Sequence, residues 1–327
     1  MSEPRTTFVI TPGPHLHVEE STAKIMWWVN GSLAPAALWG VWVFGWNSLF
    51  VIAGSIAGAV GAEWVANRMM GRRSTLADGS AVCTGLLLAL TLPPGLAAWQ
   101  ALLGGAFSIG LGKAIFGGLG FNLFNPALLG RAFLMATFPL PMTSGWIAPR
   151  PAFMAPLDAV TTATPLAIMK EQGLAAAMQS ISTPVGMWNN LMLGFRPGSI
   201  GEVSMLLIAL GAGALLARRI ISLHIPLAVM AGVALSTLHT GVTGLHLASG
   251  GLWLGAFYMA TDYVTSPSAR GGQIAFGLLI GLLTGVIRVF GGYPEGICYA
   301  ILLANAMAPA FDLWFRPKRV PVTGAPS

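Results

Sequence analysis

Charge is what this sequence has least of. Its 327 residues include 17 Lys and Arg and 11 Asp and Glu, so charged residues make up 9% of the chain against 55% hydrophobic ones. Soluble domains carry about a quarter charged residues, and a water-facing globule is excluded. Cysteine is almost absent: Cys83 and Cys298 stand far apart in apolar segments, with no CxxC pair. That argues against an iron–sulfur cluster held by this chain alone, which takes a set of cysteine ligands. Both read instead as small buried apolar residues. The histidines, His15, His17, His224, His239 and His246, lack metal-ligand spacing, so no metal is assigned. No glycine-rich dinucleotide fingerprint follows a strand pattern.

Long apolar runs are what the chain does have. One helical crossing of a bilayer takes about twenty apolar residues, and runs near that length recur from end to end. We read ten membrane segments, at 25–45, 49–67, 78–93, 97–115, 126–139, 203–217, 225–240, 246–265, 273–289 and 295–313. The third and fifth are short and bounded by glycine or proline, as broken or tilted helices are. The start of the chain, MSEPRTTFVITPGPHLHVEESTAK, is polar and proline-punctuated and is not predicted to be a signal peptide.

The formal charge of +6 reads as topology rather than as a nucleic-acid surface. With a cytoplasmic N-terminus, the cytoplasmic ends collect Arg5, Lys24, Arg68, Arg72, Arg73, Lys113, Arg218, Arg219, Arg270, Arg316, Lys318 and Arg319. The opposite face receives Arg150, Lys170, Arg196 and Arg288, and Arg131 falls within the fifth segment. This is the positive-inside distribution expected for ten crossings with a cytoplasmic N-terminus.

A constant offset points to an internal repeat. LTLPPG around Pro93 precedes Phe116-Gly117-Gly118 by 23 residues, and TSPSAR around Pro267 precedes Phe290-Gly291-Gly292 by the same interval, a displacement of 174. An odd number of crossings per half inverts the second half, as in many transporters. The expected fold is all-α, two inverted five-helix repeats. The expected organisation is a cytoplasmic segment 1–24, a first repeat 25–139, an outer-face loop 140–202, a second repeat 203–315 and a cytoplasmic tail 316–327.

The outer loop carries APLDAVTTATPLAIM, residues 155–169. Thr164-Pro165 is a good helix start, with a threonine N-cap and proline at the first helical position. Free amides and the helix dipole at such a start also favour a phosphate ester on the hydroxyl. Physical reasoning alone leaves both roles open.

The run DAVTTATPLA resembles the D-x-x-(S/T)-G-A-T-P-L stretch of the RnfD and NqrB subunits of ion-translocating electron-transport complexes. DGSAVCTGLLLALTLPP at 78–94, GKAIFGGLGFNLFNPALLGRAFL at 112–134 and ATDYVTSP at 260–267 agree with the same family. The short N-terminal extension is more similar to RnfD than to NqrB. The resemblance implies FMN joined to Thr164 by a phosphoester, with Asp158, Thr161 and Thr162 in the surrounding motif. Thr162 stands where the family pattern has glycine. It also implies a second, non-covalent flavin such as riboflavin, and partner subunits bearing iron–sulfur clusters and FMN. The implied activity is electron transfer between ferredoxin and NAD coupled to sodium or proton translocation, with no complete active site in this chain. A channel or secondary transporter for a small solute, built on the same inverted repeat, is the alternative.

Ionisable groups within membrane segments are functional candidates by default. Glu63, Asp262 and Asp312 are candidates for a cation route, with pairing to Arg68, Arg270 or Arg316 as the plain alternative. Arg131 needs a carboxylate, flavin or phosphate partner. Lys113, Asn122 and Asn125 flank the first FGG turn, as cofactor-pocket or turn-capping residues. Arg288 and Glu295 are expected to form a salt bridge. Trp27, Trp28, Trp39, Trp42 and Trp46 read as interfacial anchors.

Overall fold

The computed structural model describes residues 21–72, 74–149, 163–173, 176–177, 179, 190, 192–202, 204–292 and 295–316. Asp158, Thr161 and Thr162, together with Arg5, Arg73, Arg150, Lys318 and Arg319, lie outside the described residues.

The described architecture is helical. The first half holds α1 (Thr22–Phe44), α2 (Trp46–Met69), α3 (Ser80–Thr91), α4 (Ala98–Ile109), α5 (Pro126–Thr137) and α6 (Pro139–Ser144). Next comes α7 (Pro165–Gln172). The second half holds α8 (Met205–Ala217), α9 (His224–Thr237), α10 (Thr243–Ala248), α11 (Leu252–Leu254), α12 (Arg270–Phe290) and α13 (Ile297–Trp314). The helices Trp46–Met69, Arg270–Phe290 and Ile297–Trp314 are long and apolar enough to cross a membrane. Leu38, Trp64, Leu210, Leu227, Leu303 and Leu313 are exposed on the helix flanks, as expected where hydrocarbon rather than water is the solvent.

Two ends of the bundle can be told apart by their contacts. Glu63 near the end of α2, Ser80 at the start of α3 and Lys113 just beyond α4 meet at one end. At the other, Thr91 at the end of α3, Arg131 of α5 and Glu295 ahead of α13 come together. Helix α1 begins near the Lys113 end, where Asn30 donates to Gly79 O, and finishes where Trp39 donates to Leu193 O. Helix α8 runs the other way: Ser204, its N-cap, bonds Met192 O, and Tyr263 reaches Ile220 O beyond its far end.

Helix α3 is the centre of the first half. It is only 12 residues long, about 18 Å, and is buried along nearly its whole surface. A helix too short to span hydrocarbon and apolar on every side belongs inside protein. The helices around it close on one another through small residues, which let helix backbones approach in lipid, where the hydrophobic effect gives no drive to association. A Cβ at Gly58 of α2 would collide with the Leu102 carbonyl of α4, and one at Gly232 of α9 would meet the Leu278 carbonyl of α12 at 2.7 Å. Gly58 and Gly232 are themselves displaced by 174 residues in the sequence.

The expected eighth segment, 246–265, is the broken one. It is divided into α10, the short α11 and a π turn over Gly255–Met259. A second π turn, Gly110–Ala114, extends α4 and places Lys113. Such wide turns free backbone groups and recur at functional sites.

Candidate functional site

At the Lys113 end, two features lie side by side. The Lys113 ammonium donates to both carboxylate oxygens of Glu63 at 2.9 Å and to Ser80 Oγ at 2.6 Å. Thr75 adds a hydroxyl to the same carboxylate. Lys113 is 4% exposed. A cation so placed is held by complete hydrogen bonding; without its partner it would cost several kcal/mol. Glu63 therefore pairs with Lys113, and not with Arg68, Arg270 or Arg316.

Next to this pair lies a cavity of ≈ 820 Å³, its mouth included, lined by residues of both halves. Lys113, Asn122, Asn125, Cys83, Tyr258 and Asp262 are among the residues that supply its polar groups. Asn125 is tied across the halves: its amide N–H donates to Asn305 Oδ1 at 3.2 Å and its side chain to Met259 O at 3.1 Å. Its own Oδ1 caps α5 through Ala127 N and Leu128 N. Asp262 accepts from Thr265 Oγ1 at 3.1 Å and Val264 N at 3.4 Å. Asp312 lies elsewhere, accepting from Ser268 N and Oγ at 2.9 and 2.8 Å just ahead of α12. Asp262 thus lines the cavity itself, Glu63 reaches it through Lys113, and Asp312 does neither.

The first FGG turn closes that end. Gly117 and Gly118 have φ of 116° and 111°, a region that side chains with a Cβ avoid. Arg72 donates to the Gly117 carbonyl at 2.6 Å.

At the other end, Thr164 caps α7. Its Oγ1 accepts from Ala167 N at 3.3 Å, Pro165 takes the first helical position, and the threonine is 5% exposed. Leu166 packs down onto Gly250, where a Cβ would lie 3.1 Å from Leu166 Cδ1 and against the Arg288 guanidinium. Arg288 donates to His246 O at 2.5 Å and Ser249 O at 3.0 Å. Arg196 joins the same turn through Ser249 Oγ and Ala248 O, each at 3.2 Å.

The expected Arg288–Glu295 salt bridge is replaced by another. Glu295 pairs with Arg131, which also donates to the Thr91 carbonyl. The reason is the α12–α13 turn: Glu295 immediately precedes α13, and α13 packs on α5, the helix that carries Arg131. Arg288 instead satisfies the carbonyls left free where the chain breaks after α10. Arg131 is thereby placed away from the cavity that holds Asn125 and Lys113, so the cofactor candidates read from the sequence divide between the two ends. Sequence reading missed Arg196 and Glu202 as site residues; their sole signal was charge within a loop.

The profile of the NQR2, RnfD, RnfE family matches residues 9–321. The chain is 41% identical to a subunit of the proton-translocating ferredoxin:NAD(+) oxidoreductase complex of Clostridium ljungdahlii, over 96% of each chain. It is 39% identical to a subunit of the Na(+)-translocating ferredoxin:NAD(+) oxidoreductase complex of Acetobacterium woodii, over 96% of this chain and 95% of that one. Identity to a subunit of an ion-translocating oxidoreductase complex from Halorhodospira halophila is 36%, over 94% of each.

Proposed function

Because the chain belongs to the NQR2, RnfD, RnfE family, we propose that it is the flavin-carrying membrane subunit of an ion-translocating ferredoxin:NAD oxidoreductase complex, with FMN joined to Thr164 through a phosphoester. The observation that carries the reading is the Thr164 hydroxyl, at the first turn of α7 and ahead of a proline. A phosphoester there meets free amides at a helix start, and the Arg288 guanidinium converges with Leu166, two residues further on, at Gly250. The bound flavin supplies one- and two-electron redox chemistry that no side chain of this protein supplies.

Residues of the chain do the rest. Thr164 anchors, α7 orients the anchor, and buried cations balance added negative charge. We assign a second, non-covalent flavin to the cavity at the Lys113 end on its lining, which is apolar with a few polar groups from both halves. Asn122 and Asn125 offer amide groups there and Lys113 a cation. Glu63, Asp262 and Asp312 remain the candidates for the ion route. A sodium or proton route needs an affinity that changes with the redox state of the flavin, since electron transfer without differential binding moves no ion. A proton-translocating and a Na(+)-translocating relative match at nearly equal identity, so overall similarity does not select the ion.

The fold proposed is two inverted five-helix repeats, with α1–α5 in one and α8–α13 in the other, α10 and α11 together making one broken crossing. The opposite course of α1 and α8 supports it, as does the recurrence of the Gly58 contact at Gly232. We place the Lys113 end in the cytoplasm, because Arg68, Arg72, Arg218, Arg219 and Arg270 gather there. Thr164 then faces outward. Partner subunits supply the iron–sulfur and nicotinamide chemistry.

The test is a denaturing gel of the purified protein, made in cells able to attach flavin. A band fluorescent under ultraviolet light is expected, together with a mass increase on the Thr164 peptide equal to FMN less water. Thr164→Val abolishes both, and Thr164→Ser keeps the hydroxyl and the cap. A dark wild-type band overturns the assignment and favours a solute transporter or a scaffold.

A further inference from the structure

Two hollows of opposite character join on the outside of the first half. Between α2 and α4, Ala57, Gly61, Ala62, Ala66, Ala106 and Gly110 line an open apolar slot. The slot exists because side chains are missing. Where Gly58 and Leu102 line it, the two helix backbones touch, since a Cβ on Gly58 would collide with the Leu102 carbonyl. Gly61 and Gly110 differ: nothing lies within 4 Å of a Cβ placed on either. Trp64 on α2 and Ile115 beyond the π turn are 55% and 64% exposed, so this side of the bundle faces hydrocarbon.

At the Lys113 end the slot runs into a polar pocket. Ala66, Met70 and Ala114 line both. Glu63, Arg72, Thr75 and Lys113 line the pocket together with Gly117 and Gly118 of the first FGG turn. Its charges do not cancel. Lys113 and Glu63 neutralise each other, and the other ion pair among the described residues is Arg131–Glu295, so Arg72 meets no carboxylate. Arg72 is exposed, and it gives the Gly117 carbonyl one donor at 2.6 Å. A guanidinium carries five N–H donors. Arg68, one turn earlier on the same helix and also exposed, adds a second cation close by.

The dimensions match one leaflet. From Ala57 to Met70 the wall formed by α2 is about 20 Å long at 1.5 Å per residue, whereas each half of a hydrocarbon core of about 30 Å is about 15 Å deep. An apolar slot one leaflet deep, ending in a cationic pocket, has the polarity order of a single lipid: acyl chain, then phosphate. Basic pockets between membrane helices on the cytoplasmic side bind anionic headgroups. A slot left empty would also forfeit the dispersion contacts of its walls, so it is filled by whatever the bilayer supplies.

We propose that this slot is a binding site for one anionic phospholipid, with an acyl chain laid between α2 and α4 and the phosphate beside Arg72. The phosphate accepts from guanidinium donors not used on Gly117 and balances the charge that Glu63 leaves uncancelled. Lys113 lines both this pocket and the cavity between the halves, so the headgroup and the contents of that cavity share one wall. The site does not depend on flavin at either end of the molecule. Its leaflet is the cytoplasmic one in the orientation proposed above.

Photolabelling of the purified complex in lipid nanodiscs tests the site. The probes are phosphatidylglycerol and phosphatidylcholine, each with a diazirine on one acyl chain, added in trace amounts to a phosphatidylcholine bilayer. Peptides of α2 and α4 should take up several-fold more of the phosphatidylglycerol probe than of the phosphatidylcholine probe. Gly61→Leu, whose side chain enters open space, should remove most of that label, and Gly61→Ala should retain it. Arg72→Gln should cut the preference for phosphatidylglycerol about fivefold, the effect of one basic side chain at an anionic surface, while Arg72→Lys keeps most of it. Should Gly61→Leu fail to accumulate, the two Arg72 variants decide alone, because their side chain is exposed and the preference is read within each variant. Equal labelling by the two probes overturns the proposal, and so does a preference unmoved by Arg72→Gln. Excess inorganic phosphate should leave the label in place; displacement by phosphate would make this a free-anion site and not a lipid site. Absence of label from α2 and α4 would show that a protein surface, and not lipid, covers the slot, and would equally overturn the assignment.

Discussion

Arg131 and Glu295 stand 164 residues apart in sequence and form a buried salt bridge that joins the middle of α5 to the start of α13. Because the Thr91 carbonyl takes a second donor of the same guanidinium, one side chain ties α3, α5 and α13 together. Removing a single partner of a buried pair leaves an uncompensated charge and costs about 3–5 kcal/mol. Glu295→Gln and Arg131→Met should each lower the thermal unfolding midpoint of the purified protein sharply, with the double variant less destabilised than the sum of the two. Additive losses would mean that the two groups do not interact.

The Lys113–Glu63 pair at the opposite end invites the same cycle with a further readout. Lys113 contacts the cavity wall as well as Glu63, so Lys113→Met should weaken any flavin that the cavity holds. Glu63→Gln, which leaves the ammonium in place beside Ser80, should weaken it less. Flavin released from the protein by denaturation, compared with flavin that stays covalently attached in the gel, separates the two sites. Equal retention in both variants would remove Lys113 from the cavity's binding role.

Helix placement was largely legible in the sequence, and the site was legible in pieces. Apolar run length located the main helices, since backbone groups in hydrocarbon have little choice but helix. The Thr164 cap followed from threonine before proline, a local signal. What could not be read was which buried charge meets which. Arg288 and Glu295 are neighbours in sequence, yet partners are chosen by helix packing, and α13 sits against α5. The break at residues 249–251 was hidden as well, because Ser249-Gly250-Gly251 followed by apolar residues reads as a continuous crossing. Gly250 has a φ of 73°, a tertiary requirement that composition does not announce.

Close helix contacts make a contrast testable with two glycines of α2. A methyl on Gly58 would run into the Leu102 carbonyl, whereas Gly61 has open space around its Cβ position. Backbone atoms cannot yield as side chains do, and overpacking costs about 1–3 kcal/mol. Gly58→Ala should therefore destabilise the detergent-purified protein, and Gly61→Ala should be neutral or slightly stabilising through helix propensity. A proteolysis or thermal-melt comparison decides it; equal behaviour of the two variants would show that α2 and α4 do not approach as closely as described.

The carboxyl of Glu202 lies in the loop before α8, outside the membrane-crossing helices, and is pushed up from 4.5 to about 8, first by burial and then by Glu295. A carboxyl whose folded value exceeds its unfolded one binds more protons in the folded state across the interval between them. Stability must then fall as pH rises through that interval, by up to about 1.4 kcal/mol per pH unit for one proton. The direction is opposite to that of an ordinary salt-bridged carboxylate, which gains stability as pH rises. Thermal unfolding of wild type against Glu202→Gln between pH 5 and pH 8 isolates the contribution, since the amide carries no proton to lose. The expected result is a wild-type midpoint that drops toward alkaline pH with a smaller drop in the variant. Parallel curves would mean that Glu202 is ionised in the folded protein.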